Sequence, residues 1–348
     1  MNEVLAVASP AFTITNREQV LATIADEVAP ATRKAYLQAM KLLRRYYETQ
    51  GWNLYPLDDA GEFVDARFLE QVLSYLQNLV SSGRTYSTVN KTLSAIKYFA
   101  GYENARAYAV LVSKPTRAFM EGLARQTKSH TPKQAQSLTL SQVEALHAYL
   151  RKGRTPRDIR DRAMLSLGIA TALRSQNLGE LTLSDVSPAV SIDGVVVRVR
   201  FSKTDQLGKG NYIPVAKSPR RSVDPIGALN EWLSVLGLFG FSKDNTPDFP
   251  LFPAIRGRKA VQATKMLNPN IAITETLRNR LVEAAIATPA QAFAYSSHSL
   301  RATFITLASQ AGVSEADIAA VSLHSSMATL RKYDRSSVER HATVAYLQ

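Results

Sequence analysis

Hydrophobic residues recur at helical spacing along most of this chain. Residues 32–49 (TRKAYLQAMKLLRRYYET) place Tyr36, Met40, Leu43 and Tyr47 on one stripe. The other face carries Arg33, Lys34, Lys41, Arg44 and Arg45. Thr32 is the predicted N-cap of this helix and Gly51 its stop. A second helix is predicted over 66–81, ended by Ser82-Gly83. Arg84 opens a third segment in which Ser87 is the predicted cap and Val89, Leu93, Ile96 and Phe99 the buried stripe. Its opposite face presents Thr88, Asn90, Lys91, Ser94 and Lys97, a set suited to phosphates and base edges. Taken alone, that face also reads as an ordinary solvated surface. Helices over 15–26 and 115–124 and a loose tail over 1–14 complete this half.

Residues 125–138 (RQTKSHTPKQAQSL) are polar and basic and break the periodicity, so they read as an interdomain linker. Beyond them, Ser141 is the predicted cap of a helix reaching Leu150, and 158–173 form a largely buried helix followed directly by Arg174. The period then changes. Val195, Val197 and Val199 alternate with Val196, Arg198 and Arg200, which predicts a strand. A second strand over 211–215 closes a β-hairpin, with Lys203 and Lys209 in or near its connection. Further helices are predicted over 223–239, 274–287, from His298 onward, and over 337–348, with 240–270 mostly loop.

Composition narrows the class. The chain has 348 residues, 45% hydrophobic and 20% charged, ordinary values for a globular protein of two domains. Lys and Arg outnumber Asp and Glu 42 to 29, for a net charge of +13. Most of that excess lies beyond residue 128, where 27 basic residues face 17 acidic ones. A polyanionic partner follows, nucleic acid before an anionic membrane surface. With no cysteine, disulfides, thiolate metal sites and cysteine nucleophiles are excluded. No signal peptide, membrane span, phosphate-binding glycine loop or internal repeat is present, and a cytoplasmic protein is the expectation.

One stretch concentrates chemistry: His298-Ser-Leu-Arg301, then Leu323-His-Ser-Ser326, then Tyr333. On a helix, His298 and Arg301 share a face. An arginine fork binds two phosphate oxygens, a histidine donates to an oxygen or moves a proton, and a tyrosine hydroxyl attacks phosphorus. A lone H-x-x-R is common on solvated helix faces, so the pattern gains meaning only from the rest of the chain. The rest supplies Arg174 after a buried helix and Lys203 on a hairpin.

Here the sequence resembles the tyrosine recombinase (phage integrase) family. The matching residues are Thr171-Ala-Leu-Arg174 with Leu181–Val186 (LTLSDV), Ser202-Lys-Thr204, His298-Ser-Leu-Arg301, and His324-Ser-Ser with Tyr333 nine residues on. Residues 85–97 also look like the DNA-binding helix of the family's N-terminal domain, and the resemblance covers about residues 15–348.

It implies an N-terminal all-α, SAM-like core-binding domain (15–124) and a C-terminal, mainly α, mixed α/β catalytic domain (139–348) with a small antiparallel sheet. Together these form a C-shaped clamp on DNA, in a simple two-domain member of the Cre or Xer kind. Tyr333 is then the nucleophile that forms a 3′-phosphotyrosyl link, and Arg174 and Arg301 clamp the non-bridging oxygens. Lys203 protonates the leaving 5′-oxygen, His298 assists proton transfer or oxygen binding, and His324 donates to a phosphate oxygen. Lys203 is preferred to Lys209, which sits in a glycine-flanked loop. Neither cofactor nor metal is implied.

The implied partner is duplex DNA with an inverted-repeat site, bound by a homotetramer spanning two sites, with the free protein a monomer or weak dimer. A C-terminal helix docks in trans through Val338, Ala342 and Tyr346. Expected DNA contacts are Arg33, Lys34, Lys41, Arg44, Arg84, Ser87, Thr88, Asn90, Lys91, Ser94 and Lys97. Two departures stand out: Leu323 where the family usually has glycine, and Asn177 where an acid is common, with Glu180 nearby as a substitute. Two other readings carry the same residues, a type IB topoisomerase or telomere resolvase and a non-catalytic DNA-binding protein of this fold.

Overall fold

The computed structural model describes residues 27–127, 134–200, 210–218, 223–256, 260–261 and 264–324. The chain divides into two units, Met1–Lys133 and Gln134–Gln348. The predicted helices over 15–26 and 337–348, the loop bearing Lys203 and Lys209, and Tyr333, Val338, Ala342 and Tyr346 lie outside the described residues.

The first unit is all-α among its described residues. Helix α1 (Pro30–Gln50) begins two residues before the predicted cap at Thr32. Proline at its start fixes a helical φ and has no N–H to leave unpaired. Gly51 ends it in the left-handed region at φ 68°. Next come α2 (Asp65–Ser81), α3 (Tyr86–Glu103), α4 (Ala105–Leu111) and α5 (Lys114–Gln126). The cap of α3 is Thr85, whose hydroxyl accepts from the Thr88 amide, so Ser87 lies inside the helix. Helix α4 escaped the periodicity because seven residues hold only two buried positions, Ala107 and Leu111. Met40, Leu43, Tyr47, Val72, Tyr75, Leu76, Val89, Leu93 and Leu111 belong to the core, and the half-buried Tyr46 and Trp52 make ring contacts against it.

In the second unit, α6 (Leu140–Leu150) is capped by Thr139 in a capping box with Gln142, two residues before the predicted Ser141. Helix α7 (Pro156–Thr171) is buried on nearly every side, and α8 (Ser175–Glu180) follows Arg174. A 3-10 turn at Leu183–Asp185 leads into β1 (Val186–Pro188), β2 (Gly194–Val199) and β3 (Asn211–Ala216). These form an antiparallel sheet in the order β1-β2-β3, with Val197 opposite both Val186 and Ile213. The alternation read from the valines holds, since Val195, Val197 and Val199 face the core. Then come α9 (Pro225–Leu238), a two-residue ladder of β4 (Ile255–Arg256) and β5 (Ala260–Val261), α10 (Pro269–Glu283), α11 (Pro289–Ala292), α12 (Ser297–Gln310) and α13 (Glu315–Ser322). Continuous helix from His298 is therefore corrected to two helices. Gly312 turns the chain at φ 79°, and the Ser314 hydroxyl caps α13.

The connecting segment is shorter than 125–138 at both ends. Arg125 and Gln126 belong to α5. The Gln136 amide bonds the Ala294 carbonyl, and the Leu138 amide donates to Thr303 Oγ1 of α12 at 2.9 Å. Arg280 of α10 clasps Asp158 and Asp161 of α7, and Asp161 also takes Arg160. This buried ion network fixes α7, whose C-terminal turn leads into the site. No helix among the described residues is long and apolar enough to cross a membrane.

Candidate active site

Arg174 is positioned by a backbone device. Helix α7 ends at Ala172 in the left-handed conformation, φ 51°, which turns the chain so that Arg174 becomes the extended N-cap of α8. A non-glycine residue there is strained, and full burial of the Ala172 side chain accompanies it. The same turn aims the Ala172 carbonyl at Arg301, whose Nη1 donates to it at 2.8 Å.

Arg301 comes from α12 and is 3% exposed. The start of α12 is pinned by a capping box of Ser296 with Ser299, by the Ser297 amide on Thr274 Oγ1, and by Ser297 Oγ on Asn270 Oδ1. Under it, Leu300 packs on Gly168 of α7 and Leu178 of α8, so the helices bearing the two arginines meet at a glycine. Arg301 Nη2 lies 3.0 Å from His324 Nε2, and His324 Nδ1 lies 2.8 Å from Ser322 Oγ.

His298, His324, Arg174 and Arg301 share one electrostatic environment. His324 is pushed down to about 4 by burial, then by Arg301 and Arg174. His298 lies below its usual value for the same three causes in the same order, although its side chain keeps solvent access. Both imidazoles are therefore neutral at pH 7, in a strongly positive pocket suited to an anion.

Leu323, the first departure, ends α13 in the left-handed conformation, φ 53° and ψ 46°. That geometry explains why glycine suits the position. Here leucine is accommodated because its side chain packs against the main core. At the second departure, Glu180 accepts from Gln176 on the solvent side of α8.

The LTLSDV stretch anchors the sheet. Asp185 is 2% exposed and accepts from the Thr182 amide and hydroxyl and from Arg198 and Arg200. Burial alone raises its pKa, but the Thr182 amide and Arg200 outweigh that and the net shift is downward. Arg200 is the last described residue before the segment that holds Lys203.

In the first unit, Lys34, Lys41, Arg44, Arg84, Ser87, Thr88, Asn90 and Lys91 are exposed, while Arg33, Ser94 and Lys97 are half-exposed. Thr88 shares a hydroxyl contact with the capping Thr85, and Ser94 Oγ donates back to the Asn90 carbonyl. Lys97 is held below the usual lysine value by partial burial and then by Arg117, a cation the sequence pattern had not marked.

Arg174, Arg301, His298 and His324 are thus gathered in one place, and Lys203 and Tyr333 lie outside the described residues. Two groups of the site escaped the sequence reading. The Ala172 carbonyl carries no sequence signal. Ser322 was within reach, two residues before His324, but hydroxyls on helices are too common to stand out.

Known proteins resemble this chain in sequence and in fold. The model of the phage integrase family matches residues 136–340, more than half of the chain. The integrase/recombinase xerD homolog of Selenomonas ruminantium is 23% identical over 270 residues, 76% of this chain and 72% of that protein. Tyrosine recombinase XerD of Halalkalibacterium halodurans is 30% identical over 158 residues, 44% of this chain and 46% of that protein. Among solved structures, XerH site-specific recombinase bound to a palindromic difH substrate in a post-cleavage complex aligns with a TM-score of 0.58 at 12% identity, covering 96% of this chain and 86% of that one. A lambda integrase (75-356) dimer bound to a COC′ core site aligns with a TM-score of 0.52 at 16% identity, covering 91% and 93%. At such identities these two speak for the fold, which they share with the chain along nearly its whole length. The chain belongs to the phage integrase family: it is a tyrosine recombinase, an enzyme that breaks and rejoins DNA strands at specific sites.

Proposed function

We propose that this recombinase cleaves DNA through Tyr333. The phenolic oxygen attacks phosphorus, the bond to the 5′-oxygen breaks, and a 3′-phosphotyrosyl link forms. Lys203 gives the leaving 5′-oxygen its proton, and His298 takes the proton from the tyrosine. Attack by the 5′-hydroxyl of the other strand reverses these steps and restores Tyr333. The phosphoester energy stays in the link, so no nucleotide is consumed. Arg174 and Arg301 stabilise the charge that builds on the non-bridging oxygens, each worth about 3–4 kcal/mol of barrier by analogy with other preorganised donors.

The observation that carries this reading is the seating of Arg301. Its guanidinium is fixed before substrate arrives on the Ala172 carbonyl, on the turn that also presents Arg174. Preorganised cations of this kind cost no rearrangement as the phosphorane forms.

The DNA partner is a duplex with inverted repeats, gripped by domains at 15–124 and 139–348 and synapsed by four copies. Contacts run through the basic and polar residues of α1 and α3, from Arg33 to Lys97. Val338, Ala342 and Tyr346 seat each C-terminal segment on a neighbour. The reaction belongs to the cytoplasm and the nucleoid. The test is a covalent trap: incubate the protein with a fragmented DNA library, denature in detergent, and sequence the protein-bound DNA. A recurring inverted-repeat sequence supports the proposal. Adducts scattered over all sequences point to a topoisomerase, and intact DNA binding without adducts points to a non-catalytic protein.

A further inference from the structure

Ser322 is fully buried at the C-terminal end of α13, and its hydroxyl makes two contacts. The first is to the Ile318 carbonyl at 2.6 Å. A carbonyl oxygen only accepts, so the Ser322 proton is committed to it. A serine bonded to the carbonyl four residues back is a common helix feature and means nothing by itself. The second contact, to His324 Nδ1 at 2.8 Å, gives it meaning. With its proton spent, Ser322 Oγ has only lone pairs left to offer, so Nδ1 must carry a hydrogen. On the far side of the ring, Nε2 lies 3.0 Å from Arg301 Nη2. A guanidinium has donors and no acceptor, so Nε2 must present a lone pair. The two contacts independently require the same tautomer.

We infer that Ser322 is a positioning residue that holds His324 as the Nδ1–H tautomer, so that in the DNA-free enzyme the Nε2 lone pair seats the Arg301 guanidinium. The residue acts through His324 and need not touch DNA. Ile318, Ser322 and His324 make one relay along α13: carbonyl, hydroxyl, imidazole, then the arginine of α12. Burial first, and then the charges of Arg301 and Arg174, hold the ring's pKa down, which keeps it neutral and keeps the lone pair available.

This inference rests on the proposed recombinase site and adds a consequence to it. Neutral His324 cannot donate from Nε2 to a phosphate oxygen. A phosphate arriving between the arginines offsets their charge, and His324 then binds one proton from solvent at Nε2. Nδ1–H stays on Ser322 throughout, so no ring flip is needed. Proton uptake on DNA binding is the result.

Nitrogen NMR of the full chain labelled in histidine reads the tautomer directly, with His324→Gln used to assign the signal among the five histidines. The expected pattern is a protonated Nδ1 and an unprotonated Nε2 in the wild type. Ser322→Ala is expected to move the ring toward the Nε2–H form and to slow cleavage about fivefold, the worth of one hydrogen bond of ordinary strength. Its pH profile should shift as well, whereas Ser322→Thr, which keeps the hydroxyl, restores both tautomer and profile. Calorimetry of DNA binding in buffers of different ionisation enthalpy should show proton uptake in the wild type and less in Ser322→Ala. A wild-type ring found as Nε2–H overturns the inference even where the variants fail to fold, and so does an unchanged tautomer in Ser322→Ala. The tautomer is read without catalysis, so failure of the Tyr333 assignment leaves it untouched, and the reverse also holds.

Discussion

Replacing Gly168 with alanine sets two known effects against each other. In a helix interior, alanine is favoured over glycine by about 1 kcal/mol. At position 168, however, an added Cβ falls 2.7 Å from Leu300 Cδ1 and 2.9 Å from Leu178 Cδ2. Leucine methyls at a surface move aside cheaply, but both of these side chains are 1% exposed and packed in the main core. Overpacking of a buried contact costs about 1–3 kcal/mol. The balance favours the clash, so Gly168→Ala should lose about 1 kcal/mol in thermal or urea unfolding. Gly237→Ala in α9 is the control, because its Cβ meets nothing within 4 Å, and it should gain up to about 1 kcal/mol. The functional effect should exceed the stability effect. Leu300 precedes Arg301 and Leu178 follows Arg174 by one turn, so wedging α7 from them displaces both arginines from a common phosphate. Cleavage of a nicked suicide substrate, measured at a temperature where both variants are folded, should slow at least tenfold in Gly168→Ala and stay unchanged in Gly237→Ala. A stabilised Gly168→Ala with full activity would refute the claim that this glycine sets the spacing of the site.

Acid should weaken the fold before its carboxylates titrate. His147 is buried, with its pKa pushed down to about 4 by desolvation, then by Arg151 and Arg162, from an ordinary 6.5. The unfolded chain then binds more protons than the folded one between those values. Stability is full above pH 6.5 and falls toward pH 4, by on the order of 3 kcal/mol for this group. Unfolding curves of wild type and His147→Gln across that window should converge at low pH, and parallel curves would exclude the assignment. Asp185→Ala should cost about 2–3 kcal/mol, below the range for a fully buried pair because Arg198 and Arg200 can turn to solvent. Chemical denaturation measures it, and a loss under roughly 0.5 kcal/mol, the level of an ordinary surface substitution, counts against Asp185 as the sheet's anchor. Leu323→Gly removes roughly 1 kcal/mol of left-handed strain and loses a similar amount of packing. It should therefore unfold within about 1 kcal/mol of wild type and cleave at a similar rate; a drop of several-fold in cleavage would show that the leucine positions His324 in its own right.

Periodicity carried the long helices and the β2–β3 hairpin because a buried face and a solvated face leave a repeating mark. It failed where the determinant is a single backbone group. Thr85 rather than Ser87, and Thr139 rather than Ser141, cap their helices, and a hydroxyl two positions away looks equivalent in sequence. Short α4 and the break at Gly312 were lost for want of a full repeat. Of the candidate site, Arg174, His298, Arg301 and His324 were legible through the family resemblance, and the structure brings these four together. The Ala172 carbonyl and the Ser322 relay were not, because both depend on which atoms face Arg301 once α7, α12 and α13 are packed. Leu323 reads as an anomaly in sequence and as a left-handed helix end in space.

The proposed reaction joins Tyr333 to DNA. The most direct measurement traps the adduct on a nicked suicide substrate, digests protein and DNA, and sequences the nucleotide-bearing peptide by mass spectrometry. The expected result is a 3′-phosphate linked to Tyr333, a free 5′-hydroxyl on the released strand, and no adduct with Tyr333→Phe. A nucleotide on any other residue, or an adduct that persists in Tyr333→Phe, contradicts it.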